Sequence, residues 1–227
     1  MKWSELFTSS VGKKFVMGLT GVFLISFLIV HVGINSCIWA MDGGEMFNKA
    51  AHFMGSTVVI RIIEVGLFVG FFLHIIQGLV LTFQNQKKRK IGYQVPMGNS
   101  GSKWYSRSMG LLGTIILIFL LIHWKHFWIP SRFGDVDEVT INGVAMHDLF
   151  SLMKATFTEP WVVALYVLAC LSLAYHLLHG FQSAFRSLGV HNNRYLHMLN
   201  AIGVGFSIIV PLAFAMMPVS MYFKWVQ

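Results

Sequence analysis

Charge is scarce in this sequence. Asp, Glu, Lys and Arg make up 11% of its 227 residues, hydrophobic residues 56%, and the mean hydropathy is +0.65. So little charge beside so much apolar surface argues against a soluble domain and makes a bilayer the natural solvent. Five segments, at about 14–40, 57–84, 107–130, 160–186 and 196–223, are almost uncharged. Each offers the roughly 20 residues that a helix needs to cross about 30 Å of hydrocarbon. The reading is an all-α integral membrane protein, a five-transmembrane-helix bundle forming one membrane domain over 1–227.

Cysteine is scarcer still, with two residues. Cys37 and Cys170 both fall in predicted helices, where they read as packing residues, and no CxxCH is present to attach a c-type haem. Carboxylates and thiols are nearly absent from the helix interiors, which counts against a metal-transport path. The first apolar run follows a basic start (Lys2, Lys13, Lys14), yet it is too long for a signal h-region and no small-x-small cleavage site follows, so it is expected to be retained as a span.

The net charge of +8 follows a topology rather than a patch and does not imply nucleic acid. The N-terminal arm, the 84–107 connection and the 186–197 connection carry eleven Lys or Arg against Glu5 alone. The alternate connections hold Asp42, Glu45, Asp135, Asp137, Glu138, Asp148 and Glu159 against Lys49, Lys125, Arg132 and Lys154. The basic segments are therefore expected on the cytoplasmic side, with the C-terminus on the outer, periplasmic side. The run Lys87-Lys88-Arg89-Lys90 suits anionic lipid or docking of a soluble partner. A short amphipathic helix is expected around 146–157, and Pro211 and Pro218 should kink the last helix. All seven tryptophans fall near predicted helix ends, as in an interfacial belt.

Four predicted helices each carry a histidine at depth, where an ionisable residue reads as functional. His31, His74, His123 and His176 lie about 16–17 residues from the start of their helices, roughly 24 Å from the face of entry. Successive helices run in opposite directions, so the four sort into two levels: His31 with His123 towards the outer side, and His74 with His176 towards the cytoplasm. Two facing imidazoles are what a six-coordinate haem iron requires, so the simplest reading is one haem b per pair. The sequence His-x-x-x-Gly occurs at both inner positions, as His74–Gly78 and His176–Gly180. Gly70, Gly78 and Gly180 would let the flat macrocycle approach the backbone. His126 and His179 lie one turn beyond His123 and His176 and are rival ligands; His179 otherwise suits a haem propionate, as do Arg186, Arg107, Lys13 and Arg194 at the cytoplasmic mouth.

The ordered set Ser9-Ser10-Val11-Gly12-Lys13-Lys14, Leu19-Thr20-Gly21, Leu28-Ile29-Val30-His31, His74-Ile75-Ile76-Gln77-Gly78, Leu121-Ile122-His123 and Tyr175-His176-Leu177-Leu178-His179-Gly180 resembles the single-polypeptide, two-haem cytochrome b558 type subunit of succinate:quinone oxidoreductases, fumarate reductases included. The resemblance covers nearly the whole chain. It implies His31, His74, His123 and His176 as haem-iron ligands, paired first with third and second with fourth. It also implies a flavoprotein subunit with FAD and an iron–sulfur subunit on the cytoplasmic side of the cell inner membrane. Electrons would pass between succinate or fumarate and a membrane quinone, expected to be menaquinone, and the direction is left open. In that setting Glu64, with Arg61 one turn before it, is the candidate for proton exchange with quinone, the alternative being an ion pair at the membrane edge. A two-haem anchor for a hydrogenase or formate dehydrogenase, and a haem-free transporter, are the competing readings.

Overall fold

Ser9 starts the first span. Its backbone is extended (φ −75°, ψ 153°) and its hydroxyl accepts from the Gly12 N–H at 3.0 Å, capping helix α1, Ser10–Ser36. This cap sets the start a turn earlier than the loss of charge alone suggests. The structure, a computed structural model, describes residues 5–88 and 103–226. Lys2, Trp3, Arg89, Lys90 and the stretch through Gly101 lie outside the described residues.

After α1 a 3-10 turn, Cys37–Ala40, leads to a reversal through Met41 (φ 58°), Gly43 and Gly44. Helix α2, Glu45–Ser56, follows, and extended Thr57 (φ −76°, ψ 121°) separates it from α3, Val58–Lys88. Helix α4, Met109–His123, passes through a π turn, Trp124–Trp128, into α5, Ile129–Phe133. Strands β1, Glu138–Ile141, and β2, Val144–His147, form an antiparallel hairpin with Glu138 opposite His147. Its turn is Asn142-Gly143, both at positive φ, as a two-residue hairpin loop requires. Helices α6, Leu149–Thr156, α7, Pro160–Ser187, and α8, Asn193–Tyr222, complete the chain.

Five of these stretches are long and apolar enough to cross a membrane: Ser10–Ala40, Val58–Asn85, Met109–Phe133, Pro160–Ser187 and Asn193–Tyr222. Side-chain hydrogen bonds tie their ends into two faces. On one face Lys13 Nζ donates to Gln84 Oε1 at 3.1 Å, joining the start of the first span to the end of the second. On the other, Arg132 at the end of the third span reaches Glu64 near the start of the second, and Trp39 Nε1 donates to Ser220 Oγ at 3.1 Å. Within a bilayer apolar burial gives helices little reason to associate, so close approach at small residues matters more. A Cβ on Gly18 would stand 2.9 Å from the Ala184 carbonyl oxygen, so the first and fourth spans touch backbone to backbone there. Helix α8 runs unbroken through Pro211 and Pro218, both buried.

The connections on the Trp39 face are more structured than their composition suggested. Helix α2 fills what reads as a loop, and Met146 lies in β2, with the expected short helix starting only at Leu149. Together they form a cap whose buried Phe47, Phe150, Met153 and Phe157 share a core with Ile38, Val162, Tyr166 and Met217 of the spans. Asn48, 3% exposed, ties the cap together: its Nδ2 donates to Asp148 Oδ1 at 2.9 Å, and its Oδ1 accepts from the Phe150 N–H at 3.0 Å. Asp148 also caps α6 by accepting from the Ser151 N–H. Burial alone would raise the Asp148 carboxyl, but hydrogen bonds from Ser151 and Asn48 and the nearby Lys154 charge outweigh it, holding the group below the usual carboxylate range.

Candidate functional site

The four deep histidines meet in two pairs. His31 of α1 faces His123 of α4, ring centroids 5.9 Å apart at 85°. His74 of α3 faces His176 of α7, 6.3 Å apart at 63°. The separation of the pairs can be read along two helices. Thr20, which touches His74, precedes His31 by eleven residues of α1; Gly113, beside His176, precedes His123 by ten residues of α4. At 1.5 Å per residue the two routes place the pairs roughly 15–17 Å apart.

The surroundings differ. The His31–His123 pair lies among aromatic rings: Phe27 stacks on His31 at 5.0 Å, Phe119 stacks on His123 at 5.5 Å, and Phe214, Phe127 and Tyr166 close the shell. The His74–His176 pair is bordered by small residues. A Cβ on Gly21 would be 3.9 Å from His74 Cε1, one on Gly113 3.8 Å from His176 Cε1, and one on Gly180 3.9 Å from His176 Cδ2. Ser172, one turn before His176, donates to the Leu112 carbonyl at 3.1 Å, fixing the third span against the fourth beside Gly113. The π turn that begins directly after His123 admits an extra residue, so α5 brings Arg132 back to the second span.

These features fit imidazole-ligated iron. A metal–imidazole bond of about 2 Å on each side, plus the half-width of each ring, requires centroids roughly 6 Å apart. Among the described residues no hydrogen bond involves Nε2 of any of the four, and Nδ1 of His123 and His176 is buried without a partner. His74 Nδ1 lies 3.1 Å from Thr20 Oγ1; His31 Nδ1 lies 3.3 Å from Asn35 Nδ2, which donates more closely, at 2.8 Å, to the His31 carbonyl. Among the described residues no cluster of three or more His, Cys, Asp or Glu occurs, so the donor set is imidazole pairs.

The other residues singled out from the sequence are placed as follows. His126 is engaged elsewhere, its Nδ1 3.0 Å from Tyr166 Oη and its ring stacked on Tyr166 within 5°. His179 is half-buried one turn past His176, and Arg186 is exposed in the last turn of α7. A Cβ on Gly70 would meet Phe23 at 2.9 Å and one on Gly78 would approach Met17, so these two glycines seat the second span against the first. Glu64 has Arg61 beside it, as the spacing suggests, but also two partners from the third span. Its Oε1 accepts from Trp128 Nε1 at 2.7 Å and Arg132 Nε at 3.2 Å; its Oε2 accepts from Arg132 Nη2 at 3.1 Å and Arg61 Nη1 at 3.2 Å. The carboxylate is thus held by two guanidinium groups and an indole. Sequence reasoning did not assign Thr20, Gly21, Gly113, Tyr166 or Trp128 to the site. A polar or small residue within an apolar run was the available signal, and it did not distinguish these positions from their neighbours.

No protein-family model matches the chain, and no solved structure matches it significantly. Two curated proteins resemble it. The succinate dehydrogenase cytochrome b558 subunit of Bacillus subtilis is 28% identical over 165 residues, covering 72% of this chain and 72% of that protein. The succinate dehydrogenase hydrophobic membrane anchor subunit of Halobacterium salinarum is 27% identical over 82 residues, 36% of this chain and 61% of that protein. Both likenesses are to membrane subunits of succinate dehydrogenases, and this chain has five helices long and apolar enough to cross a membrane.

Proposed function

We propose that this chain is the dihaem cytochrome b anchor of a succinate:quinone oxidoreductase, His31 with His123 holding one haem b and His74 with His176 the other. The observation that carries this reading is two imidazole pairs at about the ring spacing that iron ligation needs, stacked one above the other. Haem b at each pair supplies a one-electron carrier inside the bilayer. The chain's own residues do the rest. Phe27 and Phe119 lie flat on the outer imidazoles and restrict their rotation. Gly21, Gly113 and Gly180 leave room beside the inner ones.

The relatives are named as a subunit and a membrane anchor of succinate dehydrogenase, which supports catalytic subunits as partners. In this proposal they are a flavoprotein and an iron–sulfur subunit docked on the face where Lys13 meets Gln84, taken as cytoplasmic from the distribution of Lys and Arg. Quinone chemistry moves protons with electrons, so an ionisable group is needed near a pair. Glu64 with Arg61 is the candidate: Glu64 stands ten residues, roughly 15 Å, before His74 on α3, which is about the level of the His31–His123 pair, at the end of the helix facing Trp128 and Arg132.

Affinity purification of the tagged chain from mild detergent tests this. A complex containing a flavoprotein and an iron–sulfur protein, with b-type absorbance reduced by succinate, is expected. A complex with other redox subunits would redirect the proposal to another dehydrogenase, and a chain without b-type absorbance would end it.

A further inference from the structure

The four ligand imidazoles are not equivalent on the side away from their partner rings. Among the described residues, His74 alone of the four has a hydroxyl oxygen within hydrogen-bonding distance of Nδ1. Thr20 Oγ1 lies 3.1 Å from that nitrogen and 2.8 Å from the Val16 carbonyl oxygen, one turn back on its own helix. A hydroxyl has one hydrogen to donate. The Val16 carbonyl oxygen can only accept, and it is the nearest partner for that hydrogen. With Nε2 of His74 given to iron, the neutral imidazole carries its proton on Nδ1, and the Thr20 oxygen is placed to accept it. The other three lack this arrangement. His123 and His176 Nδ1 are buried without a partner, and the group nearest His31 Nδ1 is the amide nitrogen of Asn35, itself a donor.

Thr20 is well placed to hold this contact. It is 7% exposed, its hydroxyl is fixed by its own helix turn, and Gly21 beside it leaves the His74 ring its space. A second interaction on the far nitrogen of a metal-bound imidazole sets the tautomer, fixes the ring and raises its basicity.

Resting on the dihaem reading, we propose that Thr20 is a positioning residue for the inner haem: it holds His74 with Nε2 free for iron, strengthens it as a donor to ferric iron, and so lowers that haem's midpoint potential relative to the same site without the hydroxyl. Among the described residues, His31 and His123 have no counterpart of this contact.

The test compares Thr20→Val, which keeps shape and removes the acceptor, with Thr20→Ser, which keeps the hydroxyl. Purified complexes are titrated electrochemically while haem absorbance is followed, and the inner component is identified as the one lost in His74→Ala. Loss of the outer-sphere partner should shift the ferric-to-ferrous preference about tenfold, which for one electron is about 60 mV. The expected result is an upward shift of the inner component alone in Thr20→Val, with Thr20→Ser close to the parent. Loss of the inner haem from Thr20→Val but not from Thr20→Ser also supports the role. Unmoved potentials in Thr20→Val at full haem content overturn it, as does Thr20→Ser behaving like Thr20→Val. A parent complex without two haems overturns the dihaem reading itself.

Discussion

Replacing Glu64 by Gln separates two roles for that residue, because the structure makes it a fastener between spans as well as a candidate proton group. The carboxylate receives two hydrogen bonds from Arg132, one from Trp128 and one from Arg61. Its side chain is 18% exposed and that of Arg132 21%, so the pair is neither fully wet nor fully buried. Exposed ion pairs contribute about 0–1 kcal/mol, whereas removing one partner of a buried pair costs about 3–5 kcal/mol. Glu64→Gln should therefore lose about 2 kcal/mol, chiefly because the Arg132 guanidinium is left half-desolvated without a counter-charge. Arg132→Met should lose a similar amount. The double variant should be less destabilised than the sum of the two, with a coupling of about 1–2 kcal/mol. The assay is reversible denaturation in detergent, followed by tryptophan fluorescence, with Trp128 as a local reporter. A double variant whose losses simply add would refute the fastener. Quinone-linked turnover is measured on the same proteins. Full turnover in Glu64→Gln, with both haem spectra intact, would remove the proposed proton role while leaving the fastener standing.

Three further outcomes follow from the cap and the inner pair. Asn48→Ala leaves the Phe150 N–H without its acceptor in a buried site and should cost the cap about 1–3 kcal/mol, seen as faster hydrogen exchange across residues 45–56 and 149–156. The Asp148 carboxyl is depressed in the folded state, so its contribution is complete above the unfolded value of about 3.9 and fades as pH falls from there through the lower folded value; the protection factor of the Ser151 amide, corrected for the intrinsic pH dependence of exchange, should fall in that window and be unchanged between pH 5 and 7. Gly113→Val puts branched carbon where a single Cβ would already stand 3.8 Å from His176 Cε1, and should lower inner-haem occupancy while sparing the outer haem, as read from pyridine haemochrome content.

The spans were legible because a run of about 25 uncharged residues in this chain has few other uses, and the pairing of histidines because helices of alternating direction bring equal depths to two levels. His31 and His123, and His74 and His176, meet as that argument requires. The cap was less legible. Helix α2 mixes Met46, Phe47 and Phe53 with Asn48, Lys49 and His52 in a segment that looks like a loop beside the long runs around it, and its turn depends on Gly44, where a Cβ would strike Phe150 at 2.2 Å. The third span hid its partners because the π turn after His123 breaks the 3.6-residue register on which Trp128 and Arg132 would have been assigned a face. Thr20 was invisible as a site residue, since a threonine in an apolar helix can satisfy itself on the carbonyl four residues back, and only the fold shows His74 on its other side.

Two imidazole pairs that each hold an iron are tested most directly by counting haems in paired variants. The parent should bind two haem b per chain. His74→Ala with His176→Ala, and separately His31→Ala with His123→Ala, should each bind one, with complementary losses in the redox titration. Two haems retained in either double variant would contradict the assignment.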